Sequence, residues 1–216
     1  MKKWEVMLEY LQTGGIFMWP IFFLCVLAVA VLLEKAFYFT FIEIDATSAF
    51  KMKLSNLILE GDAKKIRDFC QNYKNSLAKT TIMVLDNTKN LNSTSKTQIE
   101  YIIEEAVTVE LSNLEKRSWI LGLCASASPQ LGLLGTVVGM IKAFEGLSSS
   151  VNAPLVAIGI SEALYTTAAG LIVGIPSLIF HLMINKKIDF ILNDLNRLIS
   201  LFGRCCERKC CEVCPS

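Results

Sequence analysis

Three long apolar stretches, at residues 16–41, 118–144 and 154–185, constrain the fold of this chain more than any other feature of its sequence. Each stretch exceeds the about 20 residues that a helix needs to cross the hydrocarbon core of a bilayer. The chain is 53% hydrophobic and 19% charged, whereas a soluble domain is about 45–50% apolar and about 25% charged. The sequence therefore predicts an all-α membrane protein with three transmembrane helices.

The polar segments around these stretches are predicted to be helical as well, because apolar residues recur in them at helical spacing. No Pro or Gly separates the end of the large loop from the second stretch, which predicts one unbroken helix from about residue 95 to residue 144. The third span is likewise extended by a helix. The predicted segments are an interfacial amphipathic helix at 1–15, a helical domain at 42–117, a short link at 145–153, an amphipathic helix at 186–203 and a Cys-rich tail at 204–216.

The distribution of basic residues predicts the orientation in the membrane. Lys and Arg are frequent at 42–117 and after residue 185, and they are absent from the link at 145–153. The positive-inside rule then places the helical domain and the C-terminal region in the cytoplasm and the link outside. Three spans require the N-terminus to lie outside.

The second apolar stretch is shaped for close contact between helices. Pro129 interrupts the backbone hydrogen-bond ladder, and Gly132, Gly135 and Gly139 leave one face without side chains. Small residues of this kind let transmembrane helices approach closely. Thr136 adds a hydroxyl group at membrane depth. The alternative is a glycine-rich packing helix with an incidental Thr.

The third stretch combines a carboxylate with hydroxyl groups and small residues. Glu162 at the centre of a span would cost about 2.5–3.5 kcal/mol, so it should face a polar cavity or a partner; alternatively it lies near the outer interface and reaches water. Thr166 and Thr167 follow along the same wall of the helix, although a membrane Thr commonly bonds the carbonyl four residues earlier. Gly170 and Gly174 have the spacing of close helix packing.

These polar groups indicate a path for ions and not an enzyme site. The net charge of +1 gives no reason to expect nucleic-acid binding, and a single His excludes a His-based metal site or triad within the chain. Hydroxyl groups relay protons without titrating, so a proton-driven machine needs a carboxylate. That carboxylate is either Glu162 or one from another subunit. No cofactor is predicted.

A cluster of cysteines lies near the end of the chain. Thiolates bind zinc and iron–sulfur clusters, but the spacing fits neither usual motif, so these residues are weak metal-site candidates. Palmitoylation, thiol contacts between subunits, an added terminal segment and a tail without a role in the main function are the alternatives. The residues are Cys205, Cys206, Cys210, Cys211 and Cys214.

Two motifs, PQLGLLGTV at residues 129–137 and GISEAL at residues 159–164, carry a resemblance to a known family. The chain resembles the MotA/TolQ/ExbB proton-channel family, and specifically its three-span TolQ/ExbB branch. Gln130 departs from the family, which usually has Leu there. Further matching residues, spread over all three stretches, are Trp19, Pro20, Glu34, Gly139, Met140, Phe144, Thr167, Gly170, Leu171, Ile175 and Pro176.

The resemblance implies a homopentamer in the bacterial inner membrane, with a periplasmic N-terminus and a central pore lined by the second and third spans. The pore would hold a dimer of a single-span ExbD- or TolR-like partner with an aspartate in its membrane helix. Proton flow would then drive a TonB- or TolA-type protein that acts on the outer membrane, in import or in envelope maintenance. Thr136 and Thr167 carry over as pore hydroxyls and Glu162 as the acid near them, with Thr166 beside it. Gly159 joins the packing residues.

A second function, from a different class, is a passive membrane scaffold that assembles a partner without conducting ions. Conduction is favoured because a scaffold has no need of Thr and Glu residues at membrane depth.

Overall fold

The described part of the chain is entirely helical in its regular structure. The computed structural model describes residues 14–41, 43, 47–88, 96–149 and 153–207. The predicted interfacial helix at 1–15 and most of the Cys-rich tail therefore lie outside the described residues. The helices are α1 (Met18–Phe41), α2 (Ser48–Glu60), α3 (Ala63–Gln71), α4 (Ser76–Thr88), α5 (Lys96–Glu115), α6 (Ser118–Ser149) and α7 (Ala153–Glu207).

Three of these helices are long and apolar enough to cross a membrane, within the described residues: Met18–Phe41, Ser118–Gly146 and Val156–Arg204. In their most apolar windows only 28%, 28% and 17% of the residues are buried in the protomer. Helices that are hydrophobic on all sides and exposed this widely need lipid or other protein around them. The prediction of an all-α protein with three transmembrane helices is confirmed at this level.

The chain divides into two compact units, and the first contains the residues up to Glu34 together with Arg117–Ile184. It comprises most of α1, all of α6 and the first part of α7. Pro20 lies in the first turns of α1, where its missing amide costs little. Cys124 of α6 lies against α1, with its sulfur 3.4 Å from the Leu24 carbonyl oxygen. Apolar residues buried in this unit are Ile21, Ala28, Val31, Leu121, Ala143, Ala163 and Ile184.

The junction between α5 and α6 differs from the prediction. Lys116 and Arg117 form a turn, and Arg117 has a φ of 65°, in the left-handed region that non-glycine residues rarely adopt. Its guanidinium forms an ion pair with Glu34 at 2.6 Å. The prediction of one unbroken helix from about residue 95 to residue 144 is therefore wrong. The sequence did not indicate the break because neither Gly nor Pro marks it.

Two other helices are longer than the predicted segments. α6 continues to Ser149, so residues 145–149, predicted as part of the link, are helical. α7 has 55 residues, more than twice the about 20 that a span needs. The stretch predicted as the third span and the amphipathic helix predicted to extend it are parts of this one continuous helix.

The second unit contains Lys35–Lys116 and the residues from Asn185 onwards. Its helices bury the apolar faces that the helical spacing indicated, and the C-terminal part of α7 supplies one of those faces. Lys51 of α2 and Asp194 of α7 form an ion pair at the edge of this core. Buried residues include Leu54, Ile58, Ile66, Val84, Leu85, Ile103, Ala106, Leu114, Ile188, Leu195, Leu198 and Phe202.

The turn between α2 and α3 follows from two adjacent residues. Gly61 ends α2 with a φ of 80°, which glycine adopts without a steric penalty. Asp62 then caps α3, and its side chain accepts hydrogen bonds from the backbone N–H groups of Lys64 at 3.1 Å and Lys65 at 3.2 Å. The backbone hydrogen bond from Lys65, followed by that residue's side chain, lowers the pKa of Asp62.

An aromatic cluster and a buried thiol lie in the same unit. The ring of Phe50 lies 5.3 Å from that of Phe69 and 4.6 Å from that of Tyr73, measured between centroids. Such pairs contribute about 0.5–1.5 kcal/mol beyond their buried area. Cys70, on α3, is fully buried, and desolvation raises the pKa of its thiol to about 12. This cysteine is therefore an inert core residue.

Candidate functional site

Helices α6 and α7 approach each other backbone to backbone over several turns of the first unit. A Cβ atom added at Gly139 would lie 2.8 Å from the Gly159 carbonyl oxygen, and one added at Gly170 would lie 2.5 Å from the Ser128 carbonyl oxygen. Contacts this short leave no space for a side chain. Residues later in α6 contact residues earlier in α7, so the two helices run antiparallel.

The predicted packing residues all lie at this contact between α6 and α7. Gly132 faces the backbone of Thr166 and Thr167, and Gly135 faces the Thr166 side chain. At the far end, a Cβ atom at Gly174 would lie 2.6 Å from the Pro129 ring. The close approach brings polar groups of the two helices within hydrogen-bonding distance. The full set of predicted packing residues is Pro129, Gly132, Gly135, Gly139, Gly159, Gly170 and Gly174.

Each of the three predicted hydroxyl groups donates to a backbone carbonyl. Thr136 donates to Leu133 at 2.6 Å within its own helix. Thr167 donates across the contact to the Gly132 carbonyl of α6 at 2.9 Å. Both side chains are half-buried, and each hydroxyl oxygen keeps lone pairs that can accept from another group.

Thr166 has different surroundings from the other two. Its side chain is only 1% exposed, under Gly135, and its hydroxyl donates to the Ala163 carbonyl at 2.8 Å within α7. The Thr166 side chain is therefore a packing residue between α6 and α7, with its hydroxyl already hydrogen-bonded. Of the three, Thr136 and Thr167 are the hydroxyls that reach the surface of the protomer.

Glu162 does not stand alone in its apolar surroundings. The Lys142 ammonium of α6 lies 2.9 Å from one carboxylate oxygen of Glu162 and 3.1 Å from the other. The Glu162 side chain is 16% exposed and the Lys142 side chain 50%. The carboxylate is thus compensated within the protomer, which reduces the cost of holding a charge in an apolar helix.

Gly15, in the turn before α1, also lies against the Glu162 carboxylate. Gly15 has a φ of 71°, and a Cβ atom placed on it would collide with the Glu162 carboxylate. Glycine is favoured here because this left-handed backbone conformation would strain any other residue, and a side chain would also displace the carboxylate.

Sequence reasoning did not identify Lys142 or Gly15 as neighbours of Glu162. One signal was available: Lys142 is a basic residue within the second apolar stretch, and opposite charges in neighbouring spans commonly pair. No comparable signal pointed to Gly15, because its contact depends on where the turn before α1 meets α7.

The cysteine cluster remains a prediction. Cys205 and Cys206 fall in the last turn of α7, and Cys210, Cys211 and Cys214 lie outside the described residues. Among the side chains that the structure does describe, no group of three or more His, Cys, Asp or Glu residues could hold a metal ion.

Comparison with known proteins connects this arrangement to a family. The sequence profile of the MotA/TolQ/ExbB proton channel family matches residues 71–197, which include all of α6 and most of α7. The chain belongs to the MotA/TolQ/ExbB family. The resemblance seen in the two motifs is thereby confirmed, and the chain is a multi-pass membrane protein of this family.

Individual relatives carry ExbB and TolQ names. The chain is 31% identical over 175 residues to the biopolymer transport protein ExbB-like 3 of Synechocystis sp., a match that covers 78% of this chain and 80% of that protein. It is 37% identical over 112 residues to the Tol-Pal system protein TolQ of Haemophilus influenzae, covering 51% and 49%. It is 38% identical over 120 residues to the biopolymer transport protein ExbB of Aquifex aeolicus, covering 55% and 72%.

Proposed function

We propose that the chain is the channel-forming subunit of a proton-driven motor in the bacterial inner membrane. One observation carries the proposal: Thr167 and Glu162 lie at the contact between two helices that are apolar enough to span a membrane, and Thr136 follows Gly135, a residue of that contact. Polar residues at membrane depth are costly, and their usual use is an ion path. The family to which the chain belongs is named for proton channels.

The proposed assembly is a homopentamer in which α6 and α7 line a central pore. Its support is the large apolar surface that the three helices leave exposed, together with the half-buried positions of Thr136 and Thr167. Lipid covers one part of that surface and neighbouring subunits cover the rest. The N-terminus is periplasmic and the helical domain at 42–117 cytoplasmic, as the basic residues predict.

The proposed partner is a dimer of an ExbD- or TolR-like single-span protein with an aspartate at membrane depth. Threonine hydroxyls do not titrate, and the Glu162 carboxylate is already engaged by Lys142. A second carboxylate is therefore needed for the protonation cycle. The work is delivered to a TonB- or TolA-type protein, for transport across the outer membrane or for envelope maintenance, consistent with relatives named for biopolymer transport and the Tol-Pal system.

The test replaces the two half-buried hydroxyls in cells that lack their own subunit of this family and express the chain with its partner. Thr136→Val and Thr167→Val should each lower energy-dependent uptake through the outer membrane by about tenfold, which corresponds to about 1.4 kcal/mol of barrier. Thr167→Ser keeps the hydroxyl and should retain activity. Thr108→Val is the matched control, since Thr108 is exposed and its hydroxyl donates to the Glu104 backbone carbonyl of its own helix at 2.8 Å.

The passive scaffold predicts different results. A scaffold would keep its full effect in both valine variants and after an uncoupler has collapsed the proton gradient. Uptake that survives both treatments would refute the motor. Loss of uptake in Thr136→Val and Thr167→Val, with Thr108→Val unaffected, supports it.

A further inference from the structure

The ion pair between Lys142 and Glu162 bridges α6 and α7 beside their close contact at Gly139. Both carboxylate oxygens lie within hydrogen-bond distance of the same ammonium group. Gly139, one turn before Lys142, lies against Ala163, the residue after Glu162. Because the two backbones touch there, the stems of both charged side chains have a fixed separation.

The surroundings of the two charges are unequal. The Glu162 carboxylate is largely enclosed, by α6 on one side and by the backbone of Gly15 on another. Lys142 is half exposed on a flexible four-carbon stem. Of the two groups, the ammonium is therefore the one that can move away while the carboxylate stays in place.

We propose that Lys142 is a positioning residue that controls access to Glu162. In the resting channel the Lys142 ammonium is paired with the Glu162 carboxylate. A proton or other cation therefore reaches Glu162 only when the Lys142 side chain swings away. When Lys142 swings back, the ion pair re-forms and the carboxylate is covered again. The proposal rests on the proposed function, because it describes regulation of the same ion path.

The test compares Lys142→Met with wild type in proteoliposomes that contain the chain and its partner. Without the ammonium, passive proton leak under an imposed gradient should rise by on the order of tenfold, the factor expected when a charge-assisted hydrogen bond no longer competes. Energised uptake in cells should fall, because leak replaces coupled flow. Lys142→Arg retains a cation that can bind both oxygens, and it should restore low leak and uptake.

A second measurement does not depend on conduction. Lys142→Glu alone and Glu162→Lys alone place like charges together and should lower the thermal unfolding temperature in detergent. The double exchange, Lys142→Glu with Glu162→Lys, restores an ion pair and should recover much of the loss. Additive effects of the two exchanges would show that the side chains do not interact, and would overturn the proposal.

The outcomes separate this proposal from the proposed function. Suppose that Lys142→Met shows the same proton leak and the same uptake as wild type, while Thr167→Val loses uptake. That result would overturn the access role of Lys142 and leave the proposed motor function standing. If neither the wild-type complex nor Lys142→Met conducts ions under a gradient, both proposals fail. High leak in Lys142→Met that Lys142→Arg reverses supports the access role.

Discussion

Replacing Gly170 by alanine tests whether α6 and α7 are in backbone contact. The added Cβ atom would lie 2.5 Å from the Ser128 carbonyl oxygen, and 3.2 Å and 3.3 Å from the Cα and N atoms of Gly132. All three are backbone atoms, which cannot rotate aside. The helices must separate until these contacts approach ordinary van der Waals distances, and overpacking of this kind costs about 1–3 kcal/mol.

A matched control removes the intrinsic effect of alanine. Gly203 lies in the same helix, and a Cβ atom there would have none of the described residues' atoms within 4 Å. Alanine is favoured over glycine in a helix by about 1 kcal/mol, a gain that both variants share. Gly170→Ala should therefore be less stable than Gly203→Ala by about 1–3 kcal/mol. For a chain of this size that difference lowers the unfolding temperature by about 2–12 °C.

The assay is thermal unfolding of the purified protein in detergent, followed by tryptophan fluorescence. Gly170→Ala should melt below wild type and Gly203→Ala at or above it. Separation of the helices also moves the Thr167 hydroxyl away from the Gly132 carbonyl, so Gly170→Ala should lose energised uptake in cells as well. Equal stability of the two alanine variants would refute the contact as described.

Two further predictions concern the second unit. The lowered pKa of Asp62 means that its contribution to stability is present above the ordinary aspartate pKa and is lost as pH falls through the lowered value. Asp62→Ala should thus lower the unfolding temperature at neutral pH and have much less effect once the pH is below that lowered pKa, whereas Asp62→Asn, which keeps a capping oxygen, should stay near wild type at neutral pH. The Cys70 thiol, with its pKa raised to about 12, should resist maleimide at pH 8 in the folded protein. It should react once denaturant exposes it, as measured by peptide mass spectrometry; rapid labelling of the folded protein would contradict its burial.

Much of the architecture follows from run length and residue size. An apolar run of about 20 residues has few options other than a spanning helix, and the glycines of the second and third stretches left those helices able to touch. Helical spacing in the large loop correctly indicated buried faces such as Leu54 and Ile58. The break at Arg117 was not predictable in this way, because a left-handed conformation at a non-glycine residue is imposed by its surroundings and has no local signal.

The candidate site shows the same division. The sequence alone determined which polar residues sit in apolar helices: Thr136, Glu162 and Thr167, beside rows of glycine. Only the tertiary structure decided their partners, giving Thr167 the carbonyl of Gly132 and Glu162 the ammonium of Lys142. The physical reason is that periodicity fixes the face on which a residue lies within its own helix, whereas a contact between helices also depends on their relative rotation and register. Those two quantities are set by packing of the whole interface.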